Sequence, residues 1–155
     1  MPTTLRDELK QRKPFTSLEQ EAQLSVIRTS AMLVDAFERM LKPYGITTTQ
    51  YNVLRILRGA EPEGLCRNDV RDRMLTRMPD VTRLLDRMEE SGLIDRTRET
   101  SDRRMVMTRI TAKGKRLLDE LEDDVAREHE RAFAALTKEQ MRTLIAHLAA
   151  VREAL

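Results

Sequence analysis

The chain has 155 residues, a length that suits one domain, or one domain with an assembly element attached. Charged residues are 35% and aromatics 3%, with no Trp, which favours a helical protein over a β-sandwich, and the net charge of +2 names no partner by itself. No apolar run nears the ~18 residues of a membrane span. The first residues, MPTTLRDELKQRK, lack an apolar signal-type segment, and the single Cys66 excludes an intrachain disulfide, so a cytoplasmic location is expected.

Residues 1–16 read as an arm. Thr4, Leu5, Arg6 and Asp7 can start a short helix that Pro14 interrupts. Arg6, Lys10, Arg12 and Lys13 make the arm basic, which suits a partner subunit or a phosphate; the other reading is a frayed terminus. Ser17 and Gln20 have capping-box spacing and open a long helix to about Leu41. Its apolar stripe is Leu24, Ile27, Ala31, Val34, Phe37 and Leu41, at spacings of three and four. Pro43 and Gly45 end it. Thr47 and Gln50 form a second box before a helix carrying Tyr51, Val53, Leu54 and Leu57 as far as Gly59. Residues 60–64 are a loop, and a short helix over about 66–75 carries Val70 and Met74 at i, i+4.

The next stretch, 76–111, organises the rest. Val81, Leu84, Leu85 and Met88 fall at i, i+3, i+4 and i+7 and share one face. Pro79, Arg83, Asp86, Arg87 and Glu90 fall on the opposite face. Thr76 is expected as the cap, Pro79 in the first turn and Gly92 as the left-handed stop. LIDRTRE and MVMTRI then read as a two-stranded hairpin turning at Thr100, Ser101 and Asp102. Residues 67–109 hold eleven Arg, no Lys and nine Asp or Glu. Arginine offers a planar fork suited to phosphate and guanine edges. The rival reading is a solvated face laced with ion pairs.

Thr111 can cap a further helix bearing Leu117, Leu118, Leu121, Val125, Ala132, Phe133 and Leu136, with Gly114 tolerable in its first turn. Thr137 and Gln140 form a third box, opening a last helix through Met141, Leu144, Ile145, Leu148 and Val151. The fold class is therefore mainly α with a small β-wing, a winged helix-turn-helix. Its first and last helices are too long and too apolar for a lone winged helix of ~70–80 residues, so a homodimer is expected. The expected organisation is 1–45 as arm and first dimerisation helix, 46–111 as the winged helix-turn-helix, and 112–155 as C-terminal dimerisation helices.

The run VTRLLDRMEESGLIDR followed by DRRMVMTRITAKG resembles the multiple antibiotic resistance regulator (MarR) family of bacterial transcription factors. That family's wing signature falls here on Asp102, Arg104, Ile110 and Thr111, followed by Lys113 and Gly114; Ile110 stands where Leu is commoner. The resemblance runs from about Ser17 to the C-terminus. It implies a dimer whose terminal helices interlock, with two winged lobes that read a palindromic operator, and a repressor released by a phenolic or anionic small molecule. It also implies that Arg104 enters the minor groove and that Asp102 orients it. A narrow A·T-rich groove attracts an inserted guanidinium.

The expected DNA-binding residues are Arg77, Met78, Pro79, Asp80, Thr82, Arg83, Arg87, Asp102, Arg103 and Arg104. N-terminal residues of a recognition helix usually meet base edges, and Arg83, opposite the apolar stripe, is the foremost candidate. Thr82 suits a phosphate, a base edge or a thymine methyl. Arg77, Arg87 and Arg103 suit phosphates, although Arg87 could instead pair with Asp86, Glu90 or the wing. The lesser reading of Asp102 and Arg104 is that they simply pin the hairpin turn, which is compatible with a DNA contact. Phe37, Tyr44 and Tyr51 are the candidate effector-lining residues, with core packing as the alternative for each.

No enzymatic motif is present: there is no Gly-rich phosphate loop, nucleophile elbow or HExxH, so no catalytic residue and no cofactor is assigned. His129 and His147 with Glu128 and Glu130 lack the short ligand spacing of a zinc site, so no metal is assigned either. The acidic run Glu120, Glu122, Asp123 and Asp124 reads as a solvated helix face. Double-stranded DNA, a second copy of the chain and a small-molecule effector are the expected partners, with no membrane. The alternatives are a winged helix used for protein contact and a thiol-based sensor acting through Cys66.

Overall fold

A computed structural model describes residues 3–155; Met1 and Pro2, the first residues of the expected arm, lie outside the described residues. The elements are α1 (Leu5–Glu8), α2 (Leu18–Leu41), a one-turn 3-10 helix (Lys42–Tyr44), α3 (Thr48–Arg58), β1 (Leu65–Cys66), α4 (Arg67–Arg73), α5 (Val81–Glu90), β2 (Ile94–Arg98), β3 (Val106–Ile110), α6 (Ala112–Ala132) and α7 (Lys138–Glu153). The chain divides into two compact units, Met1–Arg39 and Met40–Leu155.

In the first unit the described residues of the arm make local bonds. Thr4 and Asp7 make a reciprocal capping box on α1. Arg6 donates to the carbonyls of Gln11 at 3.2 Å and Arg12 at 2.7 Å, which spends one of the arm's cations locally. Glu8 meets Arg28 of α2 at 3.7 Å. The box expected at Ser17 forms only in part. Ser17 Oγ accepts the Gln20 N–H at 3.1 Å, but the Gln20 side chain accepts from Thr16 N–H at 2.8 Å and not from Ser17. Along α2, Val26, Ile27, Met32 and Val34 are 45–57% exposed. Of the predicted stripe, Ile27, Ala31 and Val34 are exposed, Leu24 and Phe37 are half-buried and Leu41 is buried, while Val26 and Met32 add exposed apolar surface outside it.

The second unit holds the core. Leu41, Val53, Leu54, Leu57, Val70, Leu85, Met88, Ile94 and Leu121 are all at or below 1% exposure. Burying each such side chain contributes about 1.5–3 kcal/mol. They come from five helices and the sheet, so the winged lobe closes on one centre. The capping boxes at Thr47 and Thr137 form as expected, and Thr111 caps α6. On α7, Leu144, Ile145 and Val151 are 37–64% exposed and no residue is buried.

The sheet is a correction to the two-stranded expectation: it has three strands in the order β1-β3-β2, all antiparallel. β2 and β3 pair from Ile94↔Ile110 to Arg98↔Val106, and Leu65 and Cys66 pair with Thr108 and Met107. Two residues cannot show a strand period, so β1 was invisible in the sequence. Cys66 therefore lies in a strand and N-caps α4 without a side-chain bond to the helix backbone, and α4 is shorter than the 66–75 expected. Gly64 (φ +79°) sits against β3; a Cβ there would stand 2.5 Å from the Thr108 carbonyl oxygen.

Candidate nucleic-acid interface

The recognition helix begins later than the sequence suggested. Asp80, not Thr76, is the N-cap: its Oδ1 accepts the Arg83 N–H at 2.9 Å. Met78 and Pro79 precede the helix in a loop, and the expectation that both sit on its first turns is corrected. The residue before a proline is sterically disfavoured in the α region, which opposes a helix running through Met78 into Pro79 and delays its start. At its other end, Gly92 (φ +76°) sends its N–H to the Glu89 carbonyl at 2.9 Å, and Leu93 N–H reaches Met88 at 3.0 Å. That is a Schellman stop, as expected for this glycine.

The apolar stripe faces inward: Val81 is 5% exposed, Leu84 9%, Leu85 1% and Met88 0%. Thr82, Arg83 and Arg87 are exposed, as are Arg77 ahead of the helix and Asp102, Arg103 and Arg104 at the wing. The wing tip is a turn in which Met105 N–H bonds the Asp102 carbonyl at 3.0 Å. Asp102 Oδ1 accepts the Arg104 backbone N–H at 2.9 Å. The carboxylate thus pins the backbone of the turn and orients Arg104 through it, with the guanidinium left to project.

Seven of the eleven arginines in 67–109, namely Arg73, Arg77, Arg83, Arg87, Arg98, Arg103 and Arg104, make no side-chain hydrogen bond or ion pair among the described residues. The acids interleaved with them are mostly committed. Asp80 caps α5 and Asp102 pins the wing, Asp72 pairs with Arg71, and Glu99 pairs with Arg109 at 3.2 Å. Arg96 of β2 grips two acids of α5, Asp86 at 2.6 Å and Glu89 at 2.5 Å. Those two carboxylates, Glu89 foremost, raise the Arg96 pKa above its ordinary value. An exposed set of cations with its neighbouring acids turned to structural work is the electrostatic footprint of a polyanion surface.

Three contributors escaped the sequence reading. Arg96 shares the inward face of β2 with Ile94, so a charge on a buried strand face was the available signal. Arg67 donates to Thr82 Oγ1 at 3.2 Å across fifteen residues of chain, which no periodicity announces. Lys113 Nζ holds the carbonyl of Ser91, the C-cap of α5, at 2.7 Å, where a cation complements the helix dipole.

Beside that lysine lies an open cavity of 380 Å³, between the 3-10 turn, the end of α5 and the first turns of α6. Arg87, Lys113 and Arg116 face it with one carboxylate, Glu120, and Ile46, Leu93 and Leu117 supply apolar wall. Arg87 lines this cavity and makes none of the ion pairs weighed for it. Tyr44 also lines it, and its hydroxyl donates to Asp124, which Arg127 pairs as well. The Tyr44 bond, with Arg127, holds the Asp124 carboxyl below the usual carboxylate range, and the same bond raises the Tyr44 phenol. Tyr51 is half-buried in α3 outside this lining; burial raises its phenol. Phe37 belongs to the first unit and is half-buried. Among the described residues, no three His, Cys, Asp or Glu side chains converge on a metal-sized site, and no helix is long and apolar enough to cross a membrane.

A model of the MarR family matches residues 44–105, from the 3-10 turn to the wing tip. The HTH-type transcriptional regulator FarR of Neisseria gonorrhoeae is 28% identical over 145 residues, 92% of this chain and 98% of that protein. The crystal structure of a MarR transcription factor from Planctomyces limnophilus matches with a TM-score of 0.68 at 36% identity, covering 88% of this chain and 99% of that one. The structure of CouR from Rhodococcus jostii RHA1 bound to p-coumaroyl-CoA matches with a TM-score of 0.73 at 27% identity, over 88% and 95% of the two chains.

Proposed function

The chain belongs to the MarR family of DNA-binding transcriptional regulators, and on that premise we propose that it is a repressor whose homodimer binds a palindromic operator and is released by a small organic anion. The observation that carries the DNA-reading part is the set of seven arginines without a side-chain partner among the described residues, with Arg77 ahead of α5, Arg83 in its first turn and Arg103 and Arg104 at the tip of the wing. In this reading Arg83 meets a base edge in the major groove and Arg104 enters the adjacent minor groove, where charge and groove width matter more than base identity. Thr82 reads beside Arg83, while Arg77 and Arg103 contact phosphates. Met78 lies against the backbone ahead of the helix, Asp80 orients the first turn, and Asp102 shapes the wing. Arg87 faces the cavity and serves the effector more than the DNA.

Dimerisation is supported by the exposed apolar side chains of α2 and, separately, of α7, since single helices do not leave such stripes in water without a partner. Residues 46–111 are the proposed DNA-binding region, with 1–45 and 112–155 serving assembly. The effector reading rests on the 380 Å³ cavity: three cations to one carboxylate over an apolar wall suits an anion with a hydrophobic body. Tyr44 offers it a ring face, because its hydroxyl is already committed. The p-coumaroyl-CoA carried by the solved relative is of that chemical kind. A bound anion would draw Lys113 from the Ser91 carbonyl and so loosen the end of the recognition helix. The thiol alternative is not favoured: the half-buried Cys66 donates to Asp69 at 3.2 Å and holds a strand end.

The test is fluorescence anisotropy on a palindrome selected from random DNA, on a flank-substituted version and on random DNA, each across a salt series. Arg83→Ala should cost ~1–3 kcal/mol per half-site and relax one base position. Arg104→Ala should lower the salt slope by about one phosphate-equivalent per subunit and relax any A·T preference in the flanks. Wild type without salt-dependent DNA binding would hand the function to protein docking instead.

A further inference from the structure

Thr82 sits in the first turn of α5, next to Arg83, and its hydroxyl is already engaged. Arg67, the first residue of α4, donates an Nη1 proton to Thr82 Oγ1 at 3.2 Å. Both side chains are exposed, and with Arg71 and Asp80 they border a small open cavity of 230 Å³ at the start of the recognition helix.

A threonine hydroxyl carries one donor and two acceptor lone pairs, so alone it can face either kind of base edge. A guanidinium has five donors and no acceptor. Aimed at Oγ1, it fills one lone pair and leaves its charge beside the other. An approaching amino group would bring a donor proton toward that cation. An acceptor would instead meet an O–H made more acidic in character by the bond the oxygen accepts. In the major groove cytosine offers only the N4 amino donor, whereas guanine, thymine and adenine each offer an acceptor at O6 and N7, O4, or N7.

We propose that Arg67 is a specificity-determining residue: it turns Thr82 into a hydrogen-bond donor, so that the base Thr82 reads must present an acceptor and cytosine is rejected. This rests on the reading that the outer face of α5 enters the major groove. It assigns Arg67 a role different from neutralising a phosphate, and the two roles separate by experiment.

The full-length protein is titrated against the selected palindrome and against variants with each base pair replaced symmetrically, one position at a time. Wild type, Arg67→Ala, Arg67→Lys, Thr82→Val and the Arg67→Ala/Thr82→Val double variant are compared, with circular dichroism confirming the fold of each. At one position wild type should prefer acceptor-bearing bases over cytosine by about tenfold. Thr82→Val should flatten that position alone. Arg67→Ala should flatten the same position by admitting cytosine, and Arg67→Lys, still a pure donor, should restore part of the preference. In the Thr82→Val background, removing Arg67 should leave the profile as it stands. If Arg67→Ala weakens every sequence equally with the profile intact, Arg67 is a phosphate contact and the inference falls while DNA reading stands. A wild type that binds no DNA removes both.

Discussion

Gly114 provides a sharp test of how the wing is mounted. In the sequence it looked like a tolerable glycine near a helix start. In the structure an added Cβ would stand 2.5 Å from the Leu93 carbonyl oxygen, 2.8 Å from Ile110 Cγ1 and 3.3 Å from Leu54 Cδ2. The carbonyl cannot retreat freely, because it accepts the Thr111 N–H at 3.1 Å. Thr111 is itself fastened, donating its hydroxyl to the Gly92 carbonyl at 2.6 Å and accepting Gly114 N–H at 3.1 Å. Gly114→Ala must therefore push α6 away from the exit of the recognition helix. Overpacking of this kind costs about 1–3 kcal/mol, and stretching the Thr111 to Leu93 bond adds up to about 1 kcal/mol. Helix propensity opposes this with a gain of about 1 kcal/mol for Ala over Gly. The net expectation is a loss of up to about 3 kcal/mol, or a fall in Tm of up to roughly 10 °C. Gly59→Ala is the control. Its Cβ would make only ordinary 3.6 Å contacts, and its φ of −71° suits any residue, so it should be neutral or stabilising. Urea and thermal unfolding of both variants at equal protein concentration decide the matter. A Gly114→Ala protein more stable than wild type would show that α6 is not seated as tightly as these distances require.

Arg96→Ala should leave the core intact yet release the wing from α5, because among the described residues its ion-pair partners are Asp86 and Glu89 alone. Operator affinity should drop by a factor of a few while Arg96→Ala in an Asp86→Asn/Glu89→Gln background changes little further, a double-mutant comparison that additive losses would refute. Tyr44→Phe should narrow the pH dependence of stability. The Tyr44 bond lowers the Asp124 pKa in the folded state, so its contribution is full above the unfolded value of about 4 and is lost as pH falls through the lower folded value. The Tm gap between wild type and Tyr44→Phe should hold from about pH 5 to 8 and close on acidification; a gap constant down to pH 3 would sink this. Cys66→Ser should keep wild-type DNA affinity and the same response to peroxide, since serine can donate to Asp69 as the thiol does. Loss of DNA on mild oxidation in wild type but not in the mutant would restore the thiol sensor.

Much of the molecule was written in local sequence. Thr47, Thr111 and Thr137 announced three helix starts through side-chain geometry confined to one turn, and Gly92 announced a stop through backbone sterics. The stripe Val81, Leu84, Leu85 and Met88 identified the recognition helix and its buried face, because a 3.6-residue period survives whatever packs against it. What depended on distance in space stayed hidden. β1 is two residues long and exists only because β3 offers it an edge. The true cap of α5 turned on Asp80 rather than Thr76 because Pro79 constrains the residue before it. Above all, eleven arginines look alike in a sequence. Which of them are spent on Asp72, Asp86, Glu89 and Glu99, which one is turned onto Thr82, and which are left facing outward was decided by pairings across up to fifteen residues of chain and between separate elements. Charge composition is a sum over residues, whereas a surface potential depends on where each partner ends up, and only the tertiary fold fixes that.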